Sequence, residues 1–152
     1  MTDTSEGNSP DGASPDELLR LAKEYFRKVD AGDPSLLDLF TEDARAYYPQ
    51  FGTTHGKEEL VRLVQALTTA VSRFNHDERS MVVTQSGNRV VVEGVETGTL
   101  SDGTPFPGES RSGGRMCNVF EFRGTLISRL HIYADPDLAG RHSDMFPLAG
   151  SS

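Results

Sequence analysis

The stretch that decides the fold is residues 79–100, RSMVVTQSGNRVVVEGVETGTL, in which β-branched residues alternate with polar ones. Alternation with a period of two is typical of strands that have one buried face. A short link that contains glycine, Ser86-Gly87-Asn88, divides the stretch in two, and links of this kind between alternating runs indicate a β-hairpin. The stretch therefore predicts paired strands at residues 79–85 and 89–100.

The C-terminal third of the chain continues this pattern. Residues 101–114 carry four glycines and two prolines and predict a loop. Alternating runs follow at residues 115–122 (RMCNVFEF) and 126–134 (LISRLHIYA), separated by Arg123-Gly124-Thr125. They predict two further strands joined by a turn, and Asp135-Pro136 is expected to end the sheet.

The residues before the hairpin begin with helical spacing. Ser14-Pro15-Asp16-Glu17 is typical of a helix start, because serine caps the first turn, proline suits it and glutamate completes a capping box. Apolar residues then recur every three or four positions until Ala31-Gly32-Asp33. Asp33-Pro34 repeats the start signal and predicts a short second helix through Phe40.

A strand, a loop and a long helix are predicted next. Residues 43–48, DARAYY, favour a strand, and residues 49–56, PQFGTTHG, favour a loop. The third helix is predicted from Lys57 to near Asn75-His76, because its apolar residues form one stripe. The stripe consists of Leu60, Leu63, Val64, Leu67, Val71 and Phe74.

Length, charge and cysteine content restrict the classes of function. The 152 residues suffice for one domain with its own core, and the formal net charge of −8 disfavours nucleic acid as a partner. No apolar run approaches the roughly 20 residues that a membrane span needs. No secretory signal is visible, so the cytoplasm is the expected compartment. Cys117 is the only cysteine, so neither an internal disulfide nor a zinc thiolate site is expected.

The elements together predict the domain organisation and the fold class. Residues 1–13 are polar and acidic and predict a disordered leader, residues 14–136 the folded domain, and residues 137–152 a C-terminal tail. Three helices followed by a meander of antiparallel strands predict an α+β fold, with the helices on one face of a curved antiparallel sheet.

This order of elements, with a set of short signals along the chain, resembles the nuclear transport factor 2-like superfamily and its SnoaL-like branch. The signals are residues 31–33 (AGD), 36–40 (LLDLF), 43–44 (DA), 56–60 (GKEEL), 118–122 (NVFEF) and 127–129 (ISR). The resemblance covers residues 15–136 and implies a cone whose helices and sheet enclose an apolar pocket. Its members include ketosteroid isomerases, scytalone dehydratases, limonene epoxide hydrolases, polyketide cyclases and proteins with no known catalysis.

Side-chain parity predicts which groups of the last strands enter such a pocket. Met116, Asn118 and Phe120 share the apolar face of their strand and are expected to point inward, Met116 and Phe120 as substrate contacts. The resemblance places Asn118 where ketosteroid isomerases have an oxyanion-hole aspartic acid and scytalone dehydratases an asparagine. Alternatively, the buried carboxamide only satisfies neighbouring backbone groups.

Three more residues are implied as catalytic by the resemblance. Tyr48 ends the first strand, where the isomerases have their general base, but a phenol with a pKa of about 10 is a hydrogen-bond donor at neutral pH. The dehydratases are similar in having tyrosine there. His76 stands where they have a catalytic histidine, although a histidine near a helix C-terminus also stabilises the helix dipole. Asp30 corresponds to their helix aspartate, expected either to orient a histidine or to lie solvated.

Two residues complete the predicted substrate contacts. Tyr25 lies on the apolar stripe of the first helix and aligns with a tyrosine of the isomerases, with core packing as the alternative. Glu96 is similar in position to one carboxylate of limonene epoxide hydrolases, but the arginine and aspartate that accompany it there fall on Gly94 and Ile132.

The leading functional hypothesis is an enzyme without cofactor or metal that performs acid/base chemistry on a small molecule. Dehydration, isomerisation or cyclisation of a carbonyl-bearing, polyketide- or terpenoid-like substrate fits the resemblance. His76 is the expected acid/base, Tyr48 and Asn118 polarise the substrate oxygen, and Asp30 or Glu96 orients. The alternatives are a non-catalytic binding or dimerisation module and an epoxide hydrolase.

The outer face of the sheet is the expected surface of a homodimer, because members of the superfamily commonly dimerise there. By parity this face includes Cys117, Val119, Arg129 and Tyr133.

Overall fold

The computed structural model describes residues 12–148. Its two α-helices are α1 (Pro15–Ala31) and α2 (Lys57–Ala70), and short 3₁₀ helices lie at Pro34–Leu39, Glu78–Ser80 and Ser143–Met145. The strands are β1 (Phe40–Tyr48), β2 (Gly52–His55), β3 (Val71–His76), β4 (Val82–Ser86), β5 (Arg89–Leu100), β6 (Pro105–Phe106), β7 (Arg115–Arg123) and β8 (Leu126–Tyr133). The predicted leader lies outside the described residues except for its last two positions.

All eight strands form one sheet, in the order β2-β1-β8-β7-β5-β3, and β4 and β6 also pair with β5. The predicted α+β cone is confirmed: α1, the helix Pro34–Leu39 and α2 lie with a curled sheet around a common interior. The β1–β8 pair is parallel while the others are antiparallel, so the sheet is mixed. This pairing brings the first strand of the chain beside the last one.

β5 organises the curl of the sheet because its two halves pair with different strands. Its first half, Arg89 to Glu93, lies between β4 and β7, and its second half pairs with β3 and β6. Gly98 makes the second junction possible. A Cβ there would lie 2.1 Å from the carbonyl oxygen of Arg73 and 2.4 Å from the Phe106 ring, so only glycine fits.

Local signals predicted the first helix and both hairpins correctly. The Ser14 hydroxyl accepts a hydrogen bond from the Glu17 backbone N–H at 3.2 Å, which caps α1 as the sequence predicts. The β4–β5 hairpin and the β7–β8 hairpin form at the predicted turns. Within residues 12–148, no helix is long and apolar enough to span a membrane.

Three predictions of local structure are wrong. Helix α2 ends at Ala70, and residues 71–76, predicted as its last turns, form strand β3. The predicted loop at residues 49–56 contains β2, and the loop at 101–114 contains the short strand β6. Each of these strands forms by pairing with another strand: β3 and β6 pair with β5, and β2 pairs with β1 across a turn. The spacing of residues within a segment does not encode such pairing.

Candidate active site

The end of β3 places His76 against Asp30 in the last turn of α1. The Asp30 carboxylate accepts two hydrogen bonds from this residue, one from its backbone N–H at 2.8 Å and one from its ring Nδ1 at 2.6 Å. Phe26 and Phe74 flank the imidazole, with ring centroids 4.9 and 6.0 Å away. These contacts fix both the orientation of the ring and the nitrogen that carries its proton towards Asp30.

Glu96 lies on the other side of the same imidazole. It is the direct cross-strand partner of His76 in the β3–β5 pair, and its Oε2 lies 3.4 Å from the ring Nε2. The two side chains are only 5% and 6% exposed. The imidazole therefore bridges two carboxylates, Asp30 at Nδ1 and Glu96 at Nε2.

This arrangement sets the charge of His76. Burial of the ring lowers its pKa, but the hydrogen bonds to Asp30 and Glu96 and the charges of both carboxylates together outweigh burial and raise the pKa to about 9. At neutral pH the ring is an imidazolium, which donates protons. The helix-dipole interpretation of His76 does not apply, because the residue lies in a strand.

Tyr48 and Asn118 project from neighbouring strands onto the same inner face of the sheet. On β1, Tyr48 comes directly after Tyr47, which pairs with His131 of β8. On β7, Asn118 pairs with Ile132, which comes directly after His131. The two side chains therefore flank β8 at one level, two strand spacings or about 10 Å apart at Cα. Both residues are buried, with 4% and 3% of their surfaces exposed.

Neither of these two polar groups is paired with another described residue. The Tyr48 hydroxyl is buried and has no hydrogen-bond partner among residues 12–148, and in the same described part of the chain the Asn118 carboxamide has none either. The structure therefore does not show the alternative in which the Asn118 carboxamide only hydrogen-bonds to neighbouring backbone groups. An unpaired buried hydroxyl costs about 1–3 kcal/mol, so a ligand oxygen that accepts from it recovers this free energy.

Six polar residues of the described site are among those that line one cavity of about 500 Å³, which is large enough for a small organic molecule. They are Tyr25, Asp30, Tyr48, His76, Glu96 and Asn118. Most of the remaining wall is apolar, and its charged members are Lys28, Asp33 and Arg73. His76, Tyr48 and Asn118 thus line one cavity, although they are far apart in sequence.

The two phenols of the cavity stay protonated at neutral pH. Burial raises the pKa of Tyr48 far above its ordinary value, and the charge of Glu96 and the neighbouring Tyr25 raise it further. Burial, Glu96 and Asp30 act on the pKa of Tyr25 in the same direction. Both hydroxyls are therefore hydrogen-bond donors and not bases.

Met116 and Phe120 point inward, as parity predicts, but the structure does not bring them into the cavity lining. Both lie in the packed core, 4% and 0% exposed, where Phe120 packs edge to face on Tyr25 and Phe26. Because these two aromatic neighbours cover it, Phe120 supports the cavity wall from behind. The α2 residues Leu60, Leu63 and Val64 do line the cavity. The apolar stripe that they form in the sequence could have identified them as cavity residues.

The sequence predicts Glu96 as a substrate contact and, as an alternative to Asp30, in an orienting role, but it does not predict the direct pairing of Glu96 with His76. This pairing depends on residues 71–76 being a strand, which they adopt only beside β5. His131, by contrast, lies on the outer face, next to Arg129 and Tyr133, which the sequence predicts there. Among the described residues no group of three histidine, cysteine or acidic side chains is arranged to hold a metal ion.

Comparisons with known proteins agree with this architecture. The family model of the SnoaL-like domain matches residues 22–130. An NTF2-like protein from Burkholderia xenovorans has a TM-score of 0.65 at 23% identity, over 86% of this chain and 98% of its own. A candidate polyketide cyclase from Xanthomonas campestris has a TM-score of 0.64 at 22% identity, over 79% and 91% of the two chains.

An epoxide hydrolase of the LEH-like type from M. tuberculosis has a TM-score of 0.61 at 17% identity, over 79% of this chain and 84% of its own. No curated protein matches the sequence. At these identities the solved structures show a common fold, and the chemistry has to be argued from the cavity itself.

Proposed function

The chain belongs to the SnoaL-like domain family, and from this premise we propose that it is a cofactor-independent enzyme that moves protons on a carbonyl-bearing small molecule. Dehydration, isomerisation and cyclisation belong to this class of reaction. The observation that carries the proposal is the unpaired, buried Tyr48 hydroxyl in the same cavity as an imidazolium held between two carboxylates. Such a cavity has a donor for an oxygen, an acid and a base along one mostly apolar wall.

The substrate oxygen is proposed to accept hydrogen bonds from Tyr48 and from the amide of Asn118. Both are donors without partners among residues 12–148, so a carbonyl oxygen that reaches them gains hydrogen bonds without displacing an existing one. Negative charge that develops on the oxygen as an enolate is stabilised by the same two groups.

The raised pKa of His76 changes the assignment of acid and base from that made on the sequence. Because the ring is protonated at neutral pH, the Glu96 carboxylate is the base, and the imidazolium is the acid. In a dehydration, Glu96 removes a proton from the carbon next to the carbonyl and the electron pair moves to the oxygen. The enolate then expels hydroxide, which leaves as water with the proton of His76 Nε2.

The contact between Glu96 and His76 returns the enzyme to its starting state. After one turnover the glutamic acid holds a proton and the imidazole lacks one, and the 3.4 Å separation of Oε2 and Nε2 allows direct transfer between them. Asp30 is a positioning residue in this scheme, because it holds Nδ1 and keeps Nε2 directed at Glu96.

Deuterium exchange into a panel of ketones tests the proposal at the level of the substrate class. The ketones are incubated with the protein in D₂O, and mass spectrometry measures exchange at the carbon next to the carbonyl. We expect exchange with the wild type and a loss of about 10²- to 10⁴-fold in Glu96→Gln. Glu121→Gln, a matched change of a carboxylate on the outer face, should exchange at the wild-type rate. Full exchange by Glu96→Gln would refute the assignment of the base.

Epoxide hydrolysis is a second candidate, favoured by the buried carboxylate of Glu96 and by the structural similarity to an epoxide hydrolase. Gly94 and Ile132 stand at the two positions where the resemblance expects an arginine and an aspartate, so activation of a water would rest on Glu96 alone. Incorporation of ¹⁸O from labelled water into a diol by the wild type, without ketone exchange, would select this function.

A non-catalytic binding module is the third candidate. It predicts ketone binding that Glu96→Gln leaves intact, with neither deuterium exchange nor diol formation in any variant.

We further propose a homodimer through the outer face of the sheet. Cys117 and Val119 lie half-buried there, Tyr133 is 50% exposed, and Arg129 joins His131 beside them. Sedimentation equilibrium should give twice the chain mass of 16.6 kDa, and Val119→Asp should give the monomer. A wild-type monomer would contradict the proposal.

A further inference from the structure

A second cavity of about 240 Å³, partly open to solvent, adjoins the first. The two cavities share three wall residues, Tyr48, Leu67 and Val71. The rest of the second wall comes from the turn after β1, the end of α2, the end of β5 and the chain after β8, and is mostly apolar. Its apolar members include Phe51, Ala70, Leu100, Pro136, Leu138 and Ala139.

One side of this cavity is lined by the segment of residues 135–142, which we call the C-terminal strap. Polar contacts hold it in place from three sides. Ser110 donates a hydrogen bond to Asp135 at 2.7 Å, Gln50 donates to the carbonyl oxygen of Pro136 at 2.7 Å, and Arg141 pairs with Asp102 at 2.6 Å. These contacts hold the strap against the rest of the domain, so its residues form one side of the cavity.

Close packing also fixes the height of the strap. Gly140 has a φ of +70° and lies so near Ser110 that a Cβ would be 2.7 Å from the Ser110 Cα. Only glycine combines this conformation with this approach. The strap, most of which lies in the predicted C-terminal tail, is thus packed closely against Ser110 of the domain.

The second cavity offers little to a polar ligand. Its polar wall residues Gln50, Asp137 and Arg141 are already engaged, Gln50 with Pro136, Asp137 with two backbone N–H groups of the strap, and Arg141 with Asp102. The fourth, His142, is exposed. At about 30 Å³ for each water-sized group, the space holds about six to eight methylene-sized groups.

From this juxtaposition we infer that the second cavity is a subsite for an unbranched hydrocarbon chain of the substrate, whose carbonyl lies at Tyr48 in the shared wall. The inference rests on the proposed function and names its substrate class, an elongated ketone with an apolar tail of about six to eight carbons. Tyr48 lines both cavities, so a carbonyl beside it leaves the tail of the molecule next to the second cavity.

Binding of a homologous series tests the subsite independently of catalysis. Isothermal titration calorimetry measures the Kd of straight-chain methyl ketones from butanone to dodecanone. In the wild type, each added methylene should tighten binding by about fourfold until the second cavity is full. Ala139→Phe in the strap and Ala70→Phe in α2 fill the cavity from two independent elements, so both should weaken dodecanone by at least about tenfold and leave butanone unchanged. Val82→Phe, on an exposed position of β4, is the matched control and should behave as the wild type.

The outcomes separate the subsite from the proposed reaction. Circular dichroism first verifies that both cavity-filling variants are folded. If their affinity then depends on chain length as in the wild type, the subsite is overturned, even if ketones exchange deuterium. A break in the profile without any deuterium exchange supports the subsite and refutes the acid/base function.

Discussion

Replacement of His76 by glutamine should remove a specific part of the pH dependence of stability. In the folded protein the pKa of His76 is raised to about 9, because the hydrogen bonds and charges of Asp30 and Glu96 outweigh burial. In the unfolded chain the pKa returns to about 6.5. The folded state therefore binds the proton more tightly than the unfolded state, and the protonated ring stabilises the fold.

The sign and the size of the effect follow from these two values. The stabilisation is fully present below about pH 6.5 and is lost as the pH rises through about 9, since the folded protein then releases the proton as well. Each pKa unit is worth about 1.36 kcal/mol, so the free energy of unfolding should fall by about 3 kcal/mol across this interval. The steepest fall should be about 1.4 kcal/mol per pH unit, the value for one proton.

Urea unfolding at half-unit steps from about pH 6 to about pH 9.5 measures the profile across both pKa values. His76→Gln should be less stable than the wild type at the acidic end, because two carboxylates then face each other without a cation, and its profile should be flat by comparison. His131→Gln, on the outer face, should keep the wild-type slope. Parallel profiles for the wild type and His76→Gln, or a His76 resonance that titrates near its ordinary pKa in NMR, would refute the ion-pair argument.

Three further predictions concern the wall of the cavity and the frame around it. Tyr48→Phe removes an unpaired buried hydroxyl, so it should raise the free energy of unfolding by about 1 kcal/mol and lower deuterium exchange by about 10²-fold; a loss of stability would show that the hydroxyl has a partner. Gly98→Ala should lower the free energy of unfolding by about 3 kcal/mol, because its Cβ would overlap the Phe106 ring and the opposite backbone, and an unchanged urea midpoint would contradict that packing. Ser14→Ala should cost about 1 kcal/mol through loss of the α1 cap, with Ser14→Asp restoring it; equal stability of all three proteins would count against the cap.

The strands and helix starts that the sequence predicts are those whose cause is local. The α1 cap lies within four residues, and the β4–β5 hairpin is defined by a turn and by alternation on either side of it. The inward orientation of Asn118 likewise follows from its own strand, in which buried and less buried residues alternate. These features need no information from the rest of the chain.

The structure of strand β3 depends on the rest of the fold and not on local signals. Val71 and Phe74 continue the apolar stripe of α2, so the pattern of residues 71–76 fits a helix as well as a strand. The backbone becomes a strand because β5 supplies hydrogen-bond partners for it, from Leu100 back to Glu96. A segment of six residues has too small a local preference to resist such pairing.

The sequence alone determined the family, the α+β architecture and the presence of a histidine, a tyrosine and an asparagine on inward-facing positions. Only the tertiary structure decided what His76 does, because its charge depends on groups that are 46 and 20 residues away along the chain. Asp30 arrives from α1 and Glu96 from β5, and their electrostatic effect on a buried ring acts through a few ångströms of space. Proton affinity in an interior is set by such distances, and they exist only once the chain has folded.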